Sequence, residues 1–513
     1  MEMNFGELCS PWPEVKIVSG KSTMVSSVVE DSRQAGPGKV FVAAVGHGAD
    51  GHDYIQAAVE AGVSAVIVDE QRSAELRAAL LDTQPVAWAT APCTRGLSAR
   101  LARECEGRPD SRLIMAGITG TNGKTTTAFL LQELLGRLQG PCGLLGTIRY
   151  DDGKEQIPAP LTTPGGPMLY SWLGRMVNQG CRAAAMEVSS HALDQERPGE
   201  LALDVAVMTN LGRDHLDYHG DMATYLAAKA RILKLLEDRP RRGKPVGTAI
   251  INAGEPELAS VPIGDLDVVR FAVAEVSPET PVDLKLVSAD LSLTGTELTL
   301  DWRGQQLQLS SPLVGRFNVE NLVASLAVGL GLGFNADDCV SALAGIRQVP
   351  GRMERFILPS GGLAVVDYAH THDALAAVLK ACQELSDQSI NVVFGCGGDR
   401  DRGKRPLMGA VAAEHADLAW ITSDNPRSED PDSICREIVA GFDAVSQARA
   451  HLREVVVDRT QAIEAALART LQGDVVVIAG KGHEDYQLVG DQILHLDDRE
   501  VIRHWIAREQ NHG

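Results

Sequence analysis

The stretch Gly117-Ile-Thr-Gly-Thr-Asn-Gly-Lys-Thr-Thr-Thr127 constrains this chain more than any other segment. It follows the apolar run Leu113–Ala116 and opens into Ala128-Phe-Leu-Leu-Gln-Glu-Leu-Leu135, whose apolar residues recur with helical spacing. Strand, glycine loop, helix is the order a phosphate cradle needs, because backbone N–H groups converge on an anion only where side chains are small. The N–H groups of Gly120 to Lys124 suit that role, with Lys124 for the outer phosphates and the Thr125 hydroxyl for Mg²⁺. The common phosphate-loop spelling has glycine at the position of Ile118, whereas here the nearest loop glycine is Gly120. The bland alternative is a Gly/Thr-rich surface turn before a helix. The loop predicts a nucleoside triphosphate but not its use.

A chain of 513 residues is too long for one hydrophobic core, so two to four domains are expected. The formal net charge of −20 argues against a general affinity for nucleic acid, which needs a basic footprint. Any anionic substrate must then be held by local Arg and Lys clusters against an unfavourable overall field. Nine cysteines without a CxxC pair, and a start without a basic-then-apolar leader, predict a reduced cytoplasmic protein, not a disulfide scaffold or zinc ribbon. No uncharged apolar run approaches the ~20 residues that span a bilayer, so no membrane partner is expected.

Three blocks are visible, and all read as α/β. The first, 1–110, holds the strand-like runs Lys39-Val-Phe-Val-Ala-Ala-Val45 and Ala65-Val-Ile-Val68 with helical Ile55–Ala61 between them. It ends in the charged stretch Arg103-Glu-Cys-Glu-Gly-Arg-Pro-Asp110, which reads as a linker. The second, 111–350, alternates apolar strands at Ala183–Met186, Val205–Met208 and Thr248–Ile251 with helices, the pattern of a mostly parallel sheet. Within it Leu284-Lys-Leu-Val287 and Leu291–Leu300 read as late antiparallel strands. The third, 351–513, places strands at Leu363–Val366, Asn391–Phe394, Leu418–Thr422 and Val475–Ala479, a second open sheet.

Ligands of open parallel sheets sit beyond the carboxyl ends of the strands, so unusual polar residues are sought there. Glu187 opens Glu187-Val-Ser-Ser-His191, and Asn210 leads into Asp214-His-Leu-Asp-Tyr-His219. A carboxylate and an imidazole at neighbouring strand ends, facing a phosphate loop, suit a divalent cation. Taken singly, Glu187 reads equally as a helix-start carboxylate and His215 as a satisfied loop histidine. Lys229, in Tyr225-Leu-Ala-Ala-Lys-Ala-Arg-Ile-Leu233, reads from composition as an exposed helical lysine. The third block offers Asp367-Tyr-Ala-His370, the glycine-arginine loop Gly395–Arg405, Asp424-Asn-Pro-Arg427 and Gly480-Lys-Gly-His-Glu-Asp485. A solvated basic turn is the bland account of the second of these, yet four such loops on one sheet edge point to a second ligand edge.

Taken in order, these motifs resemble the Mur ligase family over almost the whole chain. The resemblance rests on Asp31-Ser-Arg33 with Gly46-His-Gly-Ala-Asp-Gly51, Gly117–Thr127, Thr162-Thr-Pro164, Glu187–His191, Asn210–His219, Lys229, Asn318-Val-Glu-Asn321, Asp367-Tyr-Ala-His-Thr371, Gly397–Pro406, Asp424–Arg427 and Gly480–Glu484. It implies three domains: a small N-terminal α/β UDP-binding domain (1–110), a central P-loop ATPase domain (111–350) and a C-terminal Rossmann-like domain for an amino acid (351–513). The implied reaction is ATP-dependent amide bond formation, in which the terminal carboxylate of a UDP-MurNAc-dipeptide becomes an acyl phosphate that an amine attacks. It implies Lys124, Glu187, His215 and Lys229 as catalytic, with Thr125, Glu187, His215 and Lys229 around Mg²⁺. Lys229 is implied to carry a CO₂-derived carbamate, which turns a cation repelling Mg²⁺ into an anion that binds it.

The resemblance further assigns ATP to Gly117, Thr119, Gly120, Thr121, Asn122, Gly123, Lys124, Thr125, Thr126, Asn321, Arg352, Asp367 and His370. The nucleotide sugar falls to Glu30, Ser32, His47, Gly48, Ala49, Thr162, Thr163, Ser189, Gln195 and Arg197. Arg400, Asp424, Asn425, Pro426, Arg427, Gly480 and Glu484 match the amino-acid contacts. In this family the spelling Asp-Asn-Pro-Arg goes with meso-diaminopimelate, whose distal carboxylate a guanidinium can clamp in a bidentate pair. The expected species is a cytoplasmic monomer acting on small molecules. Two positions depart from the family pattern: His372 stands where proline is usual, and Gly165 where glutamate is frequent. A lysine-adding homologue, a ligase like folylpolyglutamate synthase and a nucleotide-switched binding protein are the competing readings.

Overall fold

The computed structural model describes residues 2–46, 49–80, 86–236, 247–450 and 452–511. The middle of its central sheet is built on strands buried along nearly their whole length, as strands covered on both faces are. Ile114–Thr119, the strand feeding the phosphate loop, lies between Ala183–Glu187 and Val205–Met208, all three parallel. Register pairs Glu187 with Ile118 and Met208 with Thr119, so the carboxyl ends of both neighbours flank the loop. Cys142–Leu145 extends the sheet on one side, and Thr248–Asn252 and Asp267–Ala272 on the other, again in parallel. Leu284–Ser292, Gly295–Trp302 and Gln305–Ser311 follow, joined by connections too short for anything but antiparallel pairing.

The chain clusters into two compact units. One comprises Met1–Leu286, Leu300–Leu307 and Glu320–Leu343; the other comprises Val287–Thr299, Gln308–Val319 and Ala344–Gly513. The first unit also holds a smaller sheet, ordered Lys16–Ser19, Ala87–Ala91, Ala65–Asp69, Lys39–Val42, Ser27–Val29, parallel except for its first strand. The second unit carries a six-stranded sheet in the order Glu354–Ile357, Leu363–Asp367, Val475–Ala479, Ile390–Phe394, Leu418–Ile421, Leu452–Val455. Only Glu354–Ile357 runs antiparallel. The last of these strands in sequence, Val475–Ala479, inserts between the first two parallel ones, and this crossover opens the crevice where such sheets bind ligands.

Two expectations fail. The charged stretch Arg103–Asp110 is no linker: Arg103 closes the last turn of helix Leu97–Cys105, and its guanidinium meets Asp110 at 3.0 Å with both side chains buried. Asp110 in turn accepts the Ala202 N–H at 3.0 Å, so these charges tie the smaller sheet's last helix to the central region. The expected strand Leu291–Leu300 is interrupted by a turn at Leu293–Thr294, where the Ser292 hydroxyl takes the Thr294 N–H at 3.3 Å. A serine that can bond its own backbone favours a turn over a ladder, and alternation alone did not disclose it.

Candidate active site

The phosphate loop is fixed by its neighbours before any ligand arrives. Gly120 has φ +155°, and a β-carbon there would lie 1.9 Å from the Thr209 hydroxyl, so only glycine fits. The Thr209 hydroxyl donates to the Asn122 carbonyl at 2.7 Å, and the Asn122 N–H donates to the Asn210 side chain at 2.8 Å. Thr121 exchanges hydrogen bonds with Gly212, and Glu320 holds the Asn210 amide at 3.0 Å. Helix Lys124–Gln139 therefore begins with its N–H groups around an open turn. The Lys124 ammonium folds back to the carbonyls of Gly120 and Thr121, at 2.8 and 2.9 Å. Gly117 and Thr119 lie within the buried strand, Thr126 in the first helical turn, and the Asn321 side chain accepts the Thr127 hydroxyl at 3.3 Å.

Glu187 is buried and accepts from the Thr125 hydroxyl at 3.0 Å, from the Thr147 N–H at 2.7 Å and from the Thr147 hydroxyl at 3.0 Å. Among the described residues no cation lies within ion-pair distance of it. Thr147 was missed because Cys142–Leu145 is a short glycine-bearing strand; the rule of looking past strand ends would have found it. His215 begins helix Leu216–His219 in a left-handed conformation, φ 55°. Its ring stands edge-on to His191 at 4.7 Å and lies 6.2 Å from Tyr225. Burial, then the neighbouring imidazoles, holds His191 below the usual histidine range.

Lys229 is not the exposed helical lysine its composition predicts. It is 1% exposed, at the end of helix Met222–Ala230, with its ammonium 4.3 Å over the Tyr225 ring. The Tyr225 hydroxyl lies 3.2 Å from the Thr121 hydroxyl, which ties the pair to the phosphate loop. Burial, reinforced by the charge of Lys124, lowers its pKa to about 6. The four residues expected around the metal thus fall into two groups, Thr125 with Glu187 and His215 with Lys229, each joined to the loop through a threonine.

A cleft of about 810 Å³ lies beside this centre, and Glu30, Ser32, Ala49, Gln195 and Arg197 line it. Arg197 donates to the Gln195 side chain at 3.0 Å and to the Thr163 carbonyl at 3.2 Å. Thr163 bridges the Glu187 carbonyl and the Ser189 N–H, and Thr162 meets Thr147 at 3.0 Å. The residues expected at a nucleotide sugar are thereby tied through hydrogen bonds to Glu187 and Thr147. His47 and Gly48 lie outside the described residues. Arg95 and Tyr218, which sequence reasoning did not single out, also line the cleft. Gly165 sits where a β-carbon would be 3.7 Å from the Glu30 carboxylate, so a glutamate there would set two acids side by side.

In the second unit, four strand ends carry the expected loops. Asp367 is buried and accepts the Met353 and Ala369 N–H groups, both at 2.9 Å; burial raises its pKa. Arg352 stacks on Tyr368, 5.0 Å from the ring centre, and His370 accepts the Lys404 ammonium on its carbonyl at 2.8 Å. His372 opens helix His372–Leu385 directly after the Thr371 cap, a position that proline fills equally well. Arg405, fully buried, binds Glu429 at 2.8 Å and Glu437 at 2.9 Å, and Glu429 also takes the Asp399 N–H. This fixes the loop that presents Arg400. Arg427 is left-handed, φ 52°, with its guanidinium on the carbonyls of Gly398 and Asn425 at 2.8 and 3.4 Å. A β-carbon on Gly397 would lie 3.0 Å from Arg427 and 3.7 Å from Arg400, so the two arginines flank that glycine. The Asn425 amide donates to Glu484 at 3.0 Å, while Gly480, φ 115°, leaves room for Asp424. Buried Arg459, paired with Asp498 at 2.7 Å, holds the Ala479 carbonyl at the end of the central strand.

Fold and site together define a multidomain α/β nucleotide-binding protein in which a P-loop shares one compact unit with a polar cleft, and a second sheet carries arginine-bearing loops at its strand ends. Three comparisons agree. The Mur ligase middle domain matches residues 118–329, the Mur ligase glutamate ligase domain 351–482, and the Mur ligase family catalytic domain 25–92. The UDP-N-acetylmuramoyl-L-alanyl-D-glutamate--2,6-diaminopimelate ligase of Geobacter sulfurreducens is 40% identical over 92% of both chains. The ligase of the same name from Geobacillus kaustophilus is 37% identical over 97% of this chain and 98% of its own. A solved structure of a ligase of that name covers 99% of this chain and 100% of its own at 31% identity, with a TM-score of 0.70. The chain belongs to the Mur ligase family of ATP-dependent amide ligases.

Proposed function

We propose that this ligase adds meso-2,6-diaminopimelate to UDP-MurNAc-L-Ala-D-Glu in peptidoglycan precursor synthesis. The names carried by its relatives support the choice, and one observation carries it. Arg427 presents a guanidinium that, among the described residues, has no carboxylate within ion-pair distance, on the same ligand edge as Glu484. Such a pair suits an amino-acid end bearing both a carboxylate and an ammonium. Lysine lacks that carboxylate and would leave Arg427 unpaired, and a hydrogen-bonding site left empty discriminates by roughly 10⁴-fold.

The division of labour follows the three blocks: 1–110 for the uridine end, 111–350 for ATP, 351–513 for the amino acid. The dipeptide carboxylate oxygen attacks the γ-phosphorus of ATP, the bond to the β-phosphate oxygen breaks, and ADP leaves an acyl phosphate. The diaminopimelate amine attacks the acyl carbon, inorganic phosphate departs, and the amine proton is lost to give the amide. A carboxylate alone is a poor electrophile because oxide would have to leave; phosphorylation supplies the leaving group. Loop N–H groups and Lys124 hold the phosphates, while Arg197, Thr162, Thr163 and Ser189 hold the muramoyl-dipeptide. Asn321 in the first unit, and Arg352, Asp367 and His370 in the second, are the further residues that the family resemblance assigns to ATP.

The donor set fits a hard divalent cation, because Glu187 is a buried carboxylate beside a threonine hydroxyl and, among the described residues, has no cation within ion-pair distance. Thr125, Glu187, His215 and carbamylated Lys229 would hold Mg²⁺, which when bound neutralises phosphate charge. Carbamylation adds the neutral Lys229 amine to CO₂, forming an N–C bond and releasing a proton. A lysine pKa of about 6 leaves that amine neutral at physiological pH. No helix among the described residues is long and apolar enough to cross a membrane. We place the enzyme in the cytoplasm as a monomer, since one chain supplies all three sets of residues. The deciding test is phosphate release with UDP-MurNAc-L-Ala-D-Glu and ATP, comparing diaminopimelate, lysine and no amino acid. Release with diaminopimelate alone is expected; release with lysine instead overturns the assignment.

A further inference from the structure

Lys481 and Gln487 belong to no expected contact set, yet they hold the amino-acid loop. Lys481 is fully buried, between Gly480 and Gly482. Its ammonium reaches Glu484 at 3.3 Å, the Asn425 side-chain oxygen at 3.5 Å and the Tyr486 carbonyl. That same Asn425 oxygen accepts the Leu488 N–H at 2.9 Å. The Gln487 amide donates to the Asp424 carbonyl at 2.7 Å. Two further backbone bonds lock Arg427 to the strand Tyr486–Val489: its N–H to the Leu488 carbonyl at 2.9 Å, and the Gly490 N–H to its carbonyl at 2.7 Å. Residues 424–427 are therefore laid along the first strand of the hairpin Tyr486–His495, with Lys481 beneath the junction.

This arrangement has a chemical consequence. Arg427 adopts a left-handed backbone that a non-glycine residue does not hold unaided. Glu484 receives Asn425 and Lys481 on one oxygen, Oε2, while Oε1 faces Tyr368 at 3.5 Å. Oε2 is thus committed inward, while Oε1 accepts only the long Tyr368 hydroxyl bond and retains acceptor capacity toward the ligand edge. We infer that Lys481 and Gln487 are positioning residues for amino-acid selection: they clamp the 424–427 loop to the hairpin and orient Glu484, touching no substrate themselves. The inference rests on the diaminopimelate reading of this edge.

The test is steady-state phosphate release by the full-length enzyme with ATP, UDP-MurNAc-L-Ala-D-Glu and meso-diaminopimelate, for wild type, Lys481→Met, Lys481→Arg and Gln487→Ala. Lys481→Met is expected to raise KM for diaminopimelate by at least about tenfold, the loss typical of one charge-assisted hydrogen bond. KM for ATP and for the nucleotide sugar stay within about twofold of wild type, and Lys481→Arg recovers part of the loss. Gln487→Ala shifts the same constant in the same direction by less. Because Gln487 is only half-buried, it decides the matter should Lys481→Met fail to fold. Unmoved KM for diaminopimelate, or equal changes in all three constants, overturns the clamp while the diaminopimelate reading stands. A wild-type enzyme inert toward diaminopimelate removes that reading, and the clamp's role with it.

Discussion

Replacing Lys229 by methionine separates its energetic cost from its function. The unfolded chain holds this ammonium at its ordinary pKa of 10.5, whereas the folded chain holds it at about 6. Between those values the unfolded state binds more protons, so stability rises with pH, by about 1.4 kcal/mol per unit. Below pH 6 the penalty is complete and constant; above 10.5 it vanishes. At pH 7.5 the unmodified lysine costs about 4 kcal/mol, an upper limit because the protein relaxes around the group. Methionine has nearly the same shape and no charge to lose, so Lys229→Met should unfold at a temperature on the order of 5 °C higher than wild type at pH 7.5. The gain should shrink toward pH 9. The measurement is thermal unfolding of the unliganded proteins in CO₂-free buffers from pH 6.5 to 9, paired with phosphate release. Turnover should be lost in Lys229→Met, and in Lys229→Ala a short-chain acid such as formate should restore part of it. A variant that melts no higher than wild type with the same pH slope, or that turns over at the wild-type rate, would refute the reasoning.

Arg427→Ala should lower kcat/KM for diaminopimelate by roughly 100-fold or more, the loss expected of a bidentate charge pair. KM for ATP and the nucleotide sugar should hardly move, and equal loss across the three substrates would sink the assignment. Glu187→Gln keeps the shape but removes the charge from the proposed metal group, so the Mg²⁺ concentration for half-maximal phosphate release should rise at least about tenfold; an unshifted Mg²⁺ titration counts against it. Asp498→Asn strips the counter-ion from fully buried Arg459. It should cost about 3–5 kcal/mol in denaturant unfolding, with the double replacement Arg459→Met, Asp498→Leu recovering much of that. An Asp498→Asn protein as stable as wild type would show that the pair is not what holds the Ala479 strand end.

What was legible in the sequence was whatever depends on neighbours along the chain. The strand at 114–119, its glycine loop and its helix are contiguous, so spacing exposed them. The four loops at the carboxyl ends of the second sheet's strands were located because each follows a short, mainly apolar run. Residues whose roles depend on contacts remote in sequence stayed hidden. Thr147 binds Glu187 across 40 positions, and Thr209 closes on Asn122 across 87. Arg103 and Asp110 read as a solvated linker because composition cannot show that each has a partner inside. Lys229 is the sharpest case, since helical spacing placed it correctly while composition put it on the wrong side of the surface.

The buried ionisable groups divide into those that are paired and those that are not. Arg103, Arg405, Arg459 and Lys481 are all buried, and each has a carboxylate within ion-pair distance: Asp110, Glu429, Asp498 and Glu484. Among the described residues Glu187, Lys229, Asp367 and Asp424 are buried without any such partner. A buried ionised group without a partner is costly, so it either neutralises, as burial makes the Lys229 amine do near pH 7, or relies on hydrogen bonds and an incoming counter-ion. Three of these lone groups sit at or just past a strand's carboxyl end, and the fourth lies against the phosphate loop. Glu187, Asp367 and Asp424 were sought in the sequence past strand ends, whereas Lys229 was named only through the family resemblance. A protein of net charge −20 cannot draw a polyanion from a distance, so whatever polyanion it binds has to be held at short range by local cations such as Lys124 and Arg197.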